Sequence, residues 1–334
     1  MKFLWLLILP FSGLSLAAQD RGDAFAGAAA SQIEEKSNVR GEDQDWFFLV
    51  KELRHLSTGK FWEKPWNEVA KNGSDPVPSI IEFNEMLLER NIRLVVIPVP
   101  PKGAIYPDKL DSDFRPGDAH SMVPFLETLL EAGVNVIDLE TEFLRARAGE
   151  ESVQWYCQQD AHFSPLAIER IAELILQNQA MEPVESDSIQ LGEAQTLSIT
   201  GDQIKDSEWE GKVSSESLSI RPVLKNGTPG VAPDPKSRTL ILGDSHTLVF
   251  HEGKETGMHC KGAGLADQLS FSLGTPVDLV GVRGSGLVQA RKKLFFHATE
   301  NPGYWDNKSL VVWIFSAREL TQSADRIVSV PLER

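Results

Sequence analysis

Apolar and polar positions along this chain follow two alternating rhythms. The segment PSIIEFNEMLLERN (78–91) places Ile80, Ile81, Phe83, Met86, Leu87 and Leu88 at helical spacing. Directly after it, IRLVVIPVP (92–100) is apolar throughout, rich in valine and isoleucine, and closed by prolines, which predicts a buried strand. The pairing repeats. SMVPFLETLLEAG (121–133) predicts a helix stopped by Gly133, and VNVIDL (134–139) a strand. SPLAIERIAELILQ (164–177) predicts a helix with Ser164 as N-cap and Pro165 at its first position. RTLILG (238–243) and VDLVGV (277–282) read as strands, LVQARKKLFFHAT (287–299) as a helix and SLVVWIF (309–315) as the last strand. Apolar strands separated by amphipathic helices predict an α/β fold, with a parallel sheet covered on both faces.

The rhythm fails in two places. Residues 19–44 are small, polar and poorly periodic, and predict a flexible lead-in or a loosely attached helix, with the folded domain opening near residue 45 and its first apolar segment at Trp46. Residues 183–237 are polar and rich in Ser, Gly and Pro, and predict an insertion with small strands inside a single domain that runs from 45 to 334.

At its start the chain has Lys2, an apolar stretch to about Leu16, and the small-x-small triplet Ser15-Leu16-Ala17. Residues 1–18 therefore read as a secretory signal peptide, because the stretch is short for a bilayer span of about 20 residues. The expected location is the periplasm or the exterior; an uncleaved anchor is the alternative. The formal net charge is −15, which argues against nucleic acid as partner, since that needs a basic face. Cys157 and Cys260 are the only cysteines, and an oxidising compartment allows them to pair as one disulfide.

Candidate chemistry collects where strands end. TLILGDSHTLVF (239–250) presents Ser245 directly after a buried-type strand. Ligands bind at such carboxyl ends in open α/β sheets. A helix starting there would aim the Ser245 N–H at a reacting carbonyl. Gly-Asp-Ser is also a good turn tripeptide, so Ser245 alone decides nothing. The segment YCQQDAHFSPLA supplies Asp160 and His162 before a helix start. An aspartate two residues from a histidine can hold its Nδ1–H and leave Nε2 for a serine. Asp244 is a rival orienter, better placed to shape the serine's own turn. Asp160 and His162 are also metal-ligand types, but no His-x-His or His-x-x-x-His partner lies near, and the other histidines are scattered. Lys102, just past the strand at 92–100, is a candidate to hold an acidic sugar or an oxyanion, or else a solvated loop lysine. The loop Arg283-Gly284-Ser285-Gly286 offers a backbone N–H for an oxyanion hole; its spacing is not the dinucleotide-binding pattern. Arg318 after the last strand can bind substrate, brace the site or make a surface ion pair.

Together, ILGDSHT, DAHFSPLA, VVIPVPPKGAIYP and LVVWIFSARE resemble, in order and context, the SGNH-hydrolase-like alginate O-acetyltransferases of the AlgX/AlgJ type. DWFFLVKELRHLSTGKFW is similar to that family's start, and the resemblance runs from about residue 45 to 320. It implies a flavodoxin-like three-layer α/β/α fold with a permuted motif order, in which the Asp-x-His pair precedes the serine. It implies Ser245 as nucleophile, His162 as base and Asp160 as its orienter. Backbone N–H groups of Ser245 and Gly284 would form the oxyanion hole, with Lys102, Arg318 and His246 toward substrate, and neither metal nor organic cofactor would be needed. It further implies acetyl transfer to hydroxyls of an exported polysaccharide, from a donor delivered by a membrane-bound acyltransferase of an export complex. The same triad would serve an acetylesterase, and a non-catalytic scaffold role is a further alternative. Ala161 and Phe163 stand where the family has Thr and Trp, His246 stands where an aromatic residue is common, and the Gly-x-Asn block of ordinary SGNH enzymes has no counterpart.

Overall fold

The computed structural model describes residues 12–33, 37–149 and 153–333, with side chains from Arg21 onward. Five parallel strands form the central sheet. Across it they run Asp278–Gly281, Thr239–Gly243, Leu310–Ser316, Arg93–Val99 and Asn135–Val136. Alternation along each strand divides the side chains between two faces. Val95, Ile97, Ile241, Val312 and Ile314 pack on one side with helices Pro165–Gln179 and Leu265–Leu273. Leu94, Val96, Leu240, Leu242, Val311 and Trp313 pack on the other, with Val77–Leu88, Val123–Glu131 and Gln289–Glu300. The result is a three-layer α/β/α domain.

Strand order places the site. From Arg93–Val99 the chain moves outward to Asn135–Val136. It returns on the far side at Thr239–Gly243, continues outward to Asp278–Gly281, and closes the middle with Leu310–Ser316. The direction reverses about that middle strand, which creates a crevice at the carboxyl ends of its neighbours.

Three expectations change. Of the two readings of residues 19–44, the described residues take the helical one, and the helix is packed on the domain instead of loosely attached. A helix spans Ser12–Ser31 and buries Phe25 and Ala29; the Phe25 ring meets Phe114 at 5.1 Å. Its polar side is held by Arg21 to Asp118 at 2.6 Å and Asp23 to His120 at 2.8 Å. The strand Asn38–Arg40 then pairs antiparallel with Phe47–Leu49, so the folded part begins ahead of residue 45. Paired ends and two buried side chains outweigh the low periodicity. The expected leader, 1–18, lies largely outside the described residues. Among these, no helix is long and apolar enough to cross a membrane. Cys157 and Cys260 are free thiols, not a disulfide; Cys157 is enclosed, with Sγ 3.4 Å from the Phe163 carbonyl oxygen.

Within 183–237 lie five short strands. Ile189–Leu191 pairs with Val223–Lys225, which also pairs with Thr228–Pro229 across the Asn226–Gly227 turn, while Gln195–Ile199 pairs with Glu216–Ile220. The loop between the second pair folds back on the domain: the Gln203 N–H donates to the Gln159 carbonyl at 3.1 Å.

Candidate active site

The turn after Thr239–Gly243 is built by close approach. A Cβ on Gly243 would lie 2.2 Å from the Ile314 carbonyl oxygen of the adjacent strand, so only glycine fits there. Asp244 follows, fully buried. One of its oxygens accepts the His246 N–H at 2.9 Å and faces His246 Nδ1 at 3.0 Å; the other accepts the Ser316 N–H at 2.8 Å. Burial works against the Asp244 charge, but His246, Arg318 and these donors prevail and hold its carboxyl at about 2. Asp244 therefore ties the serine turn to the middle strand. Ser245 opens a short 3-10 turn, Ser245–Thr247, in place of a long helix, and is half-buried.

His162 reaches the same place from the other side. Its loop is closed by hydrogen bonds from Cys157 N–H to the His162 carbonyl at 3.1 Å and from Ser164 N–H to the Trp155 carbonyl at 2.9 Å. Ser164 then caps the next helix by accepting the Ala167 N–H at 3.2 Å. Across this geometry His162 Nε2 stands 2.7 Å from Ser245 Oγ, and Nδ1 stands 2.5 Å from Asp160 Oδ1. Burial would depress the His162 imidazole; the Asp160 charge and hydrogen bond outweigh it and raise it to about 9. Burial likewise opposes the Asp160 charge, but His162 and His259 hold that carboxyl well below the usual carboxylate range.

Two groups that local sequence did not mark complete the aspartate's surroundings. Asp160 Oδ2 accepts the Asp202 N–H at 2.9 Å and faces His259 Nε2 at 2.9 Å. The Asp202 carboxylate accepts the Ala161 N–H at 2.9 Å and stands 3.9 Å from His162 Nδ1. Although its side chain is half-exposed, partial desolvation of its carboxyl by the packed backbone and the nearby Asp160 charge push that carboxyl above the usual carboxylate range. His259 has a left-handed backbone, φ 65°, and its ring leans on Phe250, itself at φ 57°, with centroids 5.3 Å apart. Such conformations cost of order 1–3 kcal/mol and persist where surrounding contacts fix them. Here those contacts are Phe250 N–H to the Met258 carbonyl at 2.9 Å and Ala263 N–H to the Phe250 carbonyl at 3.0 Å. Asp202 sits 42 residues beyond Asp160, His259 99 residues beyond it, and no short pattern encodes either approach.

Other expected site residues stand elsewhere. Lys102 does not face substrate: it is fully buried, and Nζ donates to the Phe47 carbonyl at 2.6 Å, the Gln158 carbonyl at 3.2 Å and Gln203 Oε1 at 2.8 Å. Burial lowers its ammonium, with Glu52 and Glu216 opposing. Three acceptors make it a clamp between the loop that carries Asp160 and the inserted loop. His246 is also enclosed, at 1% exposure, and its ring stands edge-on to His162 at 5.0 Å and Phe163 at 4.7 Å. It supports the His162 ring from behind. Arg318 Nη1 donates to Ser316 Oγ at 2.6 Å and lies 3.4 Å from Glu52, which makes it a brace at the strand end. Gly284 is exposed at φ 109°, and a Cβ there would touch nothing within 4 Å. Gly286 is the member of that loop packed on the turn, its Cβ position 3.1 Å from the Asp244 nitrogen.

Asp160, His162 and Asp202 offer ligand atoms within 4.8 Å of one another. Both Asp160 oxygens and His162 Nδ1 already hold one another or the protein donors just named, so a cation there would have to displace them.

Comparison with known proteins places the domain. A family model described as SGNH hydrolase-like domain, acetyltransferase AlgX, matches residues 39–317. No curated protein matches the chain. Among solved structures, the O-acetyltransferase domain of Pseudomonas putida AlgJ is 19% identical over 86% of this chain and 94% of that one, with a TM-score of 0.60. Pseudomonas aeruginosa AlgX is 18% identical over 85% of this chain and 66% of that one, with a TM-score of 0.54. At such identities the likeness is one of fold.

Proposed function

The chain belongs to the family of SGNH hydrolase-like acetyltransferases of the AlgX type, and from that membership we propose that it carries an acetyl group on Ser245 to hydroxyls of an exported, alginate-like polysaccharide. The observation that carries this reading is the continuous line Ser245 Oγ, His162 Nε2, His162 Nδ1, Asp160 Oδ1, at 2.7 and 2.5 Å.

In the first half-reaction Ser245 Oγ attacks the donor's acetyl carbonyl while His162 Nε2 takes its proton. The carbonyl oxygen becomes an oxyanion, met by backbone N–H groups of Ser245 and of the 284–286 loop. The C–O bond to the donor's leaving group breaks as His162 returns the proton to it, which leaves acetyl-Ser245. In the second half-reaction His162 deprotonates a sugar hydroxyl, that oxygen attacks the acetyl carbonyl, and Ser245 leaves with the proton. Asp160 stays ionised throughout and stabilises the imidazolium. Written this way, the reaction uses no cofactor.

The leader-like start supports a periplasmic or secreted setting, where a membrane-bound acyltransferase of the export complex would supply the donor. The test uses a chromogenic acetyl ester with and without mannuronate oligosaccharide. Acetylated sugar is expected from the parent protein and none from Ser245→Ala. Hydrolysis that no oligosaccharide diverts would replace transfer by esterase action, and unchanged sugar acetylation by Ser245→Ala would overturn the role of the serine.

A further inference from the structure

Against the triad lies a cavity of about 500 Å³, walled by the inserted loop and by the antiparallel pair around Asn38 and Leu49. Asp202 belongs to both: it lines the cavity, and its N–H holds Asp160 Oδ2. From Asp202 to the serine is one imidazole ring, 3.9 Å on one side of His162 and 2.7 Å on the other. The remaining walls mix one aromatic surface with hydrogen-bonding groups. Trp209 is half-buried and pinned by Phe47, edge-to-face at 5.0 Å. Around it stand Lys205, Asp206 and Glu208. Gln203 is 99% enclosed; its oxygen is held by Lys102, while its Nε2 has no partner among the described residues.

We propose that this cavity is a subsite for one pyranose ring of the acceptor chain, stacked on Trp209. The proposal rests on the acetyl-transfer reading above and deepens it. Three observations carry it. The volume lies within the 300–1,000 Å³ range of small-molecule sites. A flat, apolar indole matches the C–H face of a sugar ring, and carboxylates accept hydrogen bonds from its vicinal hydroxyls. The position suits a ring next to the one being acetylated, since the wall includes Asp202, whose N–H holds the aspartate that orients the base. The lining also fixes an orientation. Asp202, Asp206 and Glu208 oppose a single ammonium, Lys205, so a uronate seated here points its own carboxylate outward, away from like charges. The inserted segment thus supplies a floor for substrate as well as a brace for Asp160.

The experiment separates acceptor binding from chemistry. A 4-nitrophenyl acetate burst measures formation of acetyl-serine, and acetyl transfer to mannuronate hexasaccharide measures the acceptor step. Trp209→Ala is expected to leave the burst within about twofold of the parent and to raise the KM for hexasaccharide at least tenfold. Trp209→Phe is expected to recover most of that affinity, and Asp206→Asn to raise KM without touching the burst. Calorimetric titration of Ser245→Ala with mannuronate hexasaccharide and cellohexaose tests binding without turnover. Loss of the binding isotherm when Trp209→Ala is added supports the subsite, even if the burst fails and the catalytic reading falls. An unchanged KM and isotherm in Trp209→Ala, binding of neither probe, or equal loss of burst and transfer at unchanged Tm, overturns it.

Discussion

Gly201 is the most exposed test of how the inserted loop serves the site. A Cβ at this position would lie 2.0 Å from the Gln159 carbonyl oxygen, 2.2 Å from its carbon and 2.7 Å from the Asp160 nitrogen. All three are backbone atoms, so no side chain can swing away. Its φ is not in the left-handed region, so Gly201→Ala tests space alone. To reach even a 3.0 Å contact, the two segments must part by at least 1.0 Å, the difference from the 2.0 Å approach. That movement breaks the Gln203 N–H to Gln159 bond, 3.1 Å, and the Asp202 N–H to Asp160 bond, 2.9 Å. Overpacking of this kind costs about 1–3 kcal/mol, and a misplacement of about 1 Å costs roughly 10²-fold in rate. Gly201→Ala is therefore expected to hydrolyse a chromogenic acetyl ester roughly a hundredfold more slowly and to lower Tm by a few degrees in calorimetry. Gly27→Ala is the control, since a Cβ there meets nothing within 4 Å. A lowered Tm with full activity would show that Asp160 is not held by this contact, and an unchanged Tm with full activity would refute the packing argument altogether.

The same geometry predicts other outcomes. His162 must lose its proton before it can act as a base, and its folded-state value is about 9; kcat/KM for ester hydrolysis should rise with pH and level only near there, and Asp160→Asn should lower the rate by on the order of 10⁴-fold. The His162 shift also makes a stability statement: raised above the usual 6.5, it stabilises the fold fully below that value and the contribution is lost as pH rises toward about 9, measurable by urea unfolding at several pH values. His259→Phe removes a donor to a charged carboxylate, so activity should fall tenfold or more and the rising limb of the pH profile should move up, whereas His259→Gln, which keeps an N–H donor, should retain most of it. Lys102→Met strands three buried acceptors and should cost roughly 3 kcal/mol in urea unfolding.

The sheet was legible because its strands are apolar throughout: 92–100 and 309–315 hold the observed Arg93–Val99 and most of Leu310–Ser316. Asp160, His162 and Ser245 were legible because each sits at a strand or helix end whose signals are local. Lys102 shows the limit. A lysine past a strand reads as a surface cation, and its burial depends on acceptors at 47, 158 and 203, which no window of sequence joins. Gly284 and Gly286 differ only in which one packs on Asp244, a matter of two residues in a loop. For the helix Ser12–Ser31 the sequence left helix and flexible lead-in undecided, because its small residues give little periodicity, while Phe25 and Ala29 are enough to bury it.

His162 and Ser245 are 83 residues apart, and the exposed Asn226–Gly227 hairpin lies between them. A cut in that hairpin leaves Asp160, Lys102 and His162 on one piece and Ser245, Asp244 and His259 on the other. The cut also separates Arg93–Val99 from its sheet partner Leu310–Ser316, and neither piece carries the whole proposed triad. On the proposed acetyl-transfer reading, turnover of a chromogenic ester then requires both pieces together. The order of the motifs, Asp160 and His162 before Ser245, thereby sets the two halves of the proposed catalytic line on either side of one tight turn.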